Sequence, residues 1–166
     1  MLKKVLAVMA VALLLPAIAA AQKFGTIDVN AIFTAMPETT AAQTQLQEVS
    51  KKYEAEYKKL EEEVNKKVQE FQALAADTPQ SIKDRRQQEI QELAQKVETF
   101  QNTASQDIQR QQQQLMAPIQ QKITDAIKAV GQEGSYTFIF ENGMAAFQGA
   151  DVVDVTPAVK AKLGLK

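Results

Sequence analysis

Few residues in this chain could do chemistry. Asp28, Asp151 and Asp154 are carboxylates close to candidate strands, and such groups can act as general acid and base. No His and no Cys accompanies them. The commonest general base and a favoured metal ligand are therefore missing, and no disulfide framework can form. The three aspartates read better as strand-end and turn residues. No enzyme activity, cofactor or metal is expected. Lys83, Arg85 and Arg86, beside Asp77 and Asp84, could hold an anion. They read better as the solvated end of a helical hairpin.

Any such site would have to be positioned by a long polar stretch, from about Glu38 to Val130. Its apolar residues keep a fixed beat: Val49, Tyr53, Tyr57, Leu60, Val64, Val68 and Phe71, then Leu93, Val97, Phe100, Ala104, Ile108, Gln111, Leu115, Ile119, Lys122, Ala126 and Val130. Steps of four and three make an 11-residue repeat, with Gln111 and Lys122 as polar breaks. That is a helical stripe one or two residues wide, too narrow for a globular core. Its packing should be straight or slightly right-handed. Between the halves, Asp77 or Thr78 suits an N-cap and Pro79 the first turn of a new helix. The stretch predicts an antiparallel hairpin, residues 37–130, with its tip near 75–80. Helix one should run from about Pro37 to Ala76 and helix two from about Pro79 to Val130. Pro118 should bend the second helix, and Gly131 and Gly134 should end it. Glu48/Lys52, Glu54/Lys58, Glu62/Lys66 and Glu63/Lys67 are spaced as i,i+4 pairs that would support a solvated rod.

The N-terminus carries the pattern of a secretory signal. Lys3 and Lys4 precede an apolar run, and Ala19-Ala20-Ala21 offers a cleavage site. Residues 1–21 are expected to be removed after about Ala21, giving an exported chain without stable membrane insertion. The remainder has 17 basic and 20 acidic residues, which argues against nucleic acid as a partner.

The ends of the chain should fold together as an α+β unit, a small β body with the helical hairpin projecting from it. Residues 23–28 read as a strand, and Asn30 as the N-cap of a short helix. Tyr136–Glu141 reads as a buried strand, Asn142-Gly143 as a hairpin turn and Met144–Phe147 as the returning strand. Thr156-Pro157 opens a last helix. A body made of residues 22–36 and 131–166 is near the lower limit for a self-sufficient core. Oligomerisation is the expected remedy, with Phe24, Ile27, Tyr136, Phe138 and Phe140 in the oligomer body.

Lys23–Phe33, the block Tyr136–Phe147 and Asp151–Thr156 followed by a short helix resemble the Skp/OmpH family of periplasmic chaperones. The resemblance implies a homotrimer with three helical tentacles around a cavity. It also implies ATP-independent capture of unfolded outer-membrane proteins. Over residues 38–130 this chain has 13 basic and 15 acidic residues, so clients should be held mainly by apolar and neutral polar contacts. The stripe's margin, the Gln-rich second helix, and Phe71, Leu74 and Ile82 near the tip are the expected client contacts. The alternative is a structural coiled-coil spacer or adaptor of the cell envelope.

Overall fold

The computed structural model describes residues 22–165; the expected signal segment lies outside the described residues. In order the elements are β1 (Lys23–Ile27), α1 (Val29–Ala35), α2 (Pro37–Gln72), α3 (Gln80–Glu133), β2 (Tyr136–Glu141), β3 (Val153–Asp154) and α4 (Thr156–Lys162). The fold is α+β, with a small sheet built from the two chain ends.

The 11-residue beat is visible in the burial of the arm. In α2, Leu60 is buried, and Val49, Tyr53, Tyr57, Val64, Val68 and Phe71 are half-buried among exposed neighbours. In α3 the line runs through half-buried Leu93, Val97, Phe100, Ile108, Gln111 and Leu115, with Ala104 buried. One position departs from it. Lys122 is exposed, and Ile123 takes the inward place between Ile119 and Ala126. A lysine can leave the stripe by donating across to Glu38 Oε1 at 2.8 Å, and the neighbouring isoleucine gains more from burial.

At 36 and 54 residues the two helices are about 54 and 81 Å long. α2 stops at Gln72, short of Ala76, and a separate turn follows in which Thr78 N–H donates to Ala75 O at 3.0 Å. α3 starts at Gln80 with Pro79 as its N-cap; neither Asp77 nor Thr78 caps it. Pro79 lies in an extended conformation just outside the helix. Its carbonyl accepts the first bonds, from Ile82 at 3.0 Å and Lys83 at 3.2 Å. The helix then runs through Pro118 without interruption to Glu133, past Gly131. None of the four expected i,i+4 ion pairs is closed. The arm's pairs are Lys59–Glu56, Lys67–Glu70, Arg85–Glu89, Arg86–Glu89 and Arg110–Asp107, with Lys67–Glu89 and Lys122–Glu38 crossing between helices. Exposed lysines and glutamates at this spacing gain too little from pairing to give up their rotamer freedom.

The sheet has the order β2-β1-β3, and both pairings are parallel. The expected hairpin is absent. Asn142-Gly143 does turn the chain, with Gly143 at φ +85° and Met144 N–H donating to Glu141 O. Met144–Phe147, however, forms no strand. The chain crosses over β1 instead and places Val153–Asp154 on its far edge. The residues that follow explain this choice: Val155 and Val159 reach 1% and 0% exposure beneath the sheet, burial that a local hairpin would forgo. The whole arm is thus the crossover between parallel neighbours β1 and β2.

The short helix also starts earlier than its composition suggested. Asp28, at the end of β1, accepts Ala31 N–H on Oδ1 at 2.8 Å, so α1 begins at Val29 and Asn30 lies inside it. The core beneath the sheet joins Ile27, Ile32, Met36, Val155 and Val159 to Ala42, Ile119, Ile123, Ala126 and Val130 of the arm's base. A core drawn only from the ends would be small; the arm's root enlarges it. Close packing sets Gly25, because a Cβ there would meet Val155 Cγ1 at 3.1 Å and Ile139 Cγ1 and Tyr136 Cδ1 at 3.2 Å.

Candidate functional site

The aromatic residues of the body do not fill its core. Strand alternation turns Ile139 partly inward and leaves Phe138 57% and Phe140 42% exposed, so β2 is not the buried strand expected. Phe24, opposite Phe138 in the ladder, stacks on it with ring centroids 6.3 Å apart and planes 5° from parallel. Phe138 and Phe140 follow at 5.8 Å and 24°. Met144 and Phe147, in the connection after β2, are exposed at 73% and 86%. A surface of this kind, uncovered in one protomer, is the usual mark of an interaction site.

The other body residues singled out from sequence support that face without forming it. Ile27 is 3% exposed and belongs to the core. Tyr136 is half-buried beneath Lys23 Nζ, which lies 4.1 Å from its ring centroid and donates to Gly134 O at 3.1 Å. Met144 and Phe147 were legible only as members of a strand that does not form.

Along the arm, a polar cluster lies on the seam. Tyr53 of α2 donates its hydroxyl to Asp107 Oδ2 of α3 at 2.7 Å, and Gln111 Nε2 donates to the same oxygen at 2.6 Å. Arg110 pairs with the other oxygen. The hydrogen bond from Tyr53, then that from Gln111 and the Arg110 charge, hold the Asp107 carboxyl below its ordinary range. The same bond to Asp107 pushes the Tyr53 phenol up. Tyr53 also meets Phe100 edge to face, centroids 5.8 Å apart. Beside them the seam is an open groove lined by Ser50, Tyr57, Phe100, Asn102 and Ile108.

At the tip, half-buried Phe71 and Ile82, 45% exposed, flank the loop 73–79, and half-buried Leu74 lies within it. The neighbouring cations are engaged. Lys83 Nζ donates to Ala76 O at 3.1 Å, and Arg85 and Arg86 pair with Glu89 at 3.3 and 2.8 Å. Arg86's hydrogen bond, with the Arg86, Lys67 and Arg85 charges, lowers the Glu89 carboxyl's pKa. The tip therefore presents apolar side chains among cations that are paired or hydrogen-bonded.

Two of the aspartates considered for acid–base chemistry hold local structure. Asp28 caps α1, and Asp154 Oδ1 accepts Thr156 N–H at 2.9 Å. Asp151 is exposed. Among the described residues, no group of three or more His, Cys, Asp or Glu could hold a metal ion. No helix among them is long and apolar enough to cross a membrane.

Residues 23–163 match the family described as Outer membrane protein (OmpH-like), and the chain belongs to that family. It is 26% identical over 140 residues to Chaperone protein Skp of Pectobacterium atrosepticum, covering 84% of each chain. To Chaperone protein Skp of Yersinia enterocolitica it is 25% identical over 148 residues, which is 88% of this chain and 90% of the other. Both relatives carry the name of a chaperone and not of an enzyme.

Proposed function

We propose that this protein is an ATP-independent periplasmic holdase that keeps unfolded outer-membrane proteins from aggregating in a cavity between helical arms. The observation that carries the reading is the stacked face Phe24–Phe138–Phe140, open in the protomer, on the same chain as a long hairpin with a thin apolar stripe. The face suits burial against further copies, and a homotrimer would gather three arms around one space. Residues 22–36 and 131–166 act as the assembly body and 37–130 as the arm. Membership of the OmpH-like family and the chaperone names of two relatives support this role.

Clients contact the margin of the stripe, the Gln-rich surface of α3 and the tip residues Phe71, Leu74 and Ile82. Each contact is weak, and effective concentration within one cavity makes many of them sufficient. The test is to dilute an unfolded outer-membrane barrel protein from urea with and without this protein. Suppressed light scattering at stoichiometric amounts, unchanged by nucleotide, is the expected result. Unaltered aggregation would exclude the role.

A further inference from the structure

The middle of the arm is weakly held by apolar packing. Between Ala42 and Ile119 at the root and the tip loop, Leu60 and Ala104 are the buried apolar residues. Besides a hydrogen bond between Gln101 and the Tyr57 hydroxyl, three polar links cross the seam. Lys122–Glu38 at the root has side chains 56% and 43% exposed, and Lys67–Glu89 near the tip spans 3.9 Å. Only the central link, Tyr53–Asp107, is shielded: the Asp107 side chain is 14% exposed and accepts from both helices. A hydrogen bond to a charged acceptor is among the stronger kinds, and shielding preserves it where exposed ion pairs fade. Directly beside it the seam carries a shallow groove lined by Tyr57, Phe100 and Ile108, each still half-buried between the helices.

We propose that the Tyr53–Asp107 contact is a clamp that holds the middle of the arm zipped and thereby gates its apolar seam. Closed, the two helices cover each other's stripe. Open, Tyr57, Phe100 and Ile108 are released to an apolar segment of an unfolded chain lying against the arm. The clamp itself stands on the arm's geometry; its effect on clients rests on the holdase reading.

The variant is Tyr53→Phe, which keeps the ring against Phe100 and removes only the donor. Amide hydrogen exchange on the full mature protein should rise roughly tenfold over residues 49–57 and 100–111, the loss expected for a hydrogen bond to a charged group. Exchange in β1 and α4 should not change. Affinity for an unfolded barrel protein should rise several-fold. Unchanged mid-arm exchange, or exchange raised equally throughout, would overturn the clamp. Raised mid-arm exchange with unchanged client affinity would overturn the gate. A wild-type protein that holds no client would instead remove the holdase reading, and the exchange result would still decide the clamp.

Discussion

Thr156 Oγ1 accepts the backbone N–H of Asp28 at 2.8 Å, joining residues 128 positions apart. The contact belongs to a small knot. Thr156 N–H donates to Asp154, Asp28 caps α1, and Val155 N–H donates to Thr26 O at 2.8 Å. One buried hydroxyl thus fastens the first strand and its helix to the last strand and its helix.

Thr156→Val, nearly the same shape, would leave the Asp28 N–H without its acceptor. Stability should fall by roughly 1–3 kcal/mol in urea unfolding, and Thr156→Ser should restore most of it. The Asp154 carboxyl adds a pH dependence. Hydrogen bonds from Thr156 set it below its ordinary pKa of 3.8. A carboxyl lowered in the folded state contributes stability above its unfolded pKa and loses it as pH falls through the folded one. Wild type should therefore weaken below about pH 4, and Asp154→Asn should flatten that part of the profile.

Phe138→Asp should leave the protomer's helix content intact, because the ring is 57% exposed there, and should weaken assembly by burying an unpaired charge. Sedimentation should show the variant as monomer at concentrations where the proposed wild-type trimer is expected. A monomeric wild type at micromolar concentration would contradict the proposed assembly.

At the end of α3 the residue with positive φ is Ser135, at 52°, and not the glycine before it. Ser135→Gly should stabilise the protein by about 1 kcal/mol by relieving the left-handed backbone. Gly134→Ala should destabilise it, since the added Cβ would lie 2.4 Å from Tyr136 Cε2. Paired thermal melts would separate the two glycine requirements, conformation at 135 and space at 134.

The arm's 13 basic and 15 acidic residues, with the tip cations tied to Ala76 and Glu89, project little long-range field. Client affinity should change less than about tenfold between about 50 and 500 mM salt. A fluorescent unfolded barrel protein, titrated under conditions that keep it from aggregating by itself, would measure this. A larger loss would point to charge-driven capture.

The arm was legible in the sequence because its signal repeats: a two-helix stripe announces itself through many residues. What eluded the sequence was decided by tertiary competition between adjacent equals. Asp28 and Asn30 are both good caps, and only the end of β1 selects the first. Lys122 kept the beat, but Ile123 gains more from burial. Asn142-Gly143 correctly marked a turn, while the partner of β1 was chosen by Val155 and Val159 well beyond it. A two-residue strand carries no periodicity to detect. Phe138 and Phe140 were expected in a buried strand, and their outward direction depends on a sheet register that no local pattern encodes.

The central strand of the sheet is the first element of the described chain, and both of its neighbours come from the last thirty residues. A chain made from its N-terminus can therefore coil its two long helices and pair them beyond the root well before its body can close. Contact order is low in the arm and nearly maximal in the sheet, so closure of the sheet should be the slow step. Any product truncated before Val153 would carry a finished arm on an unclosed sheet. The last strand and helix thus act as a completeness check: only a chain that has reached them can pair both edges of β1 and bury Val155 and Val159 against it.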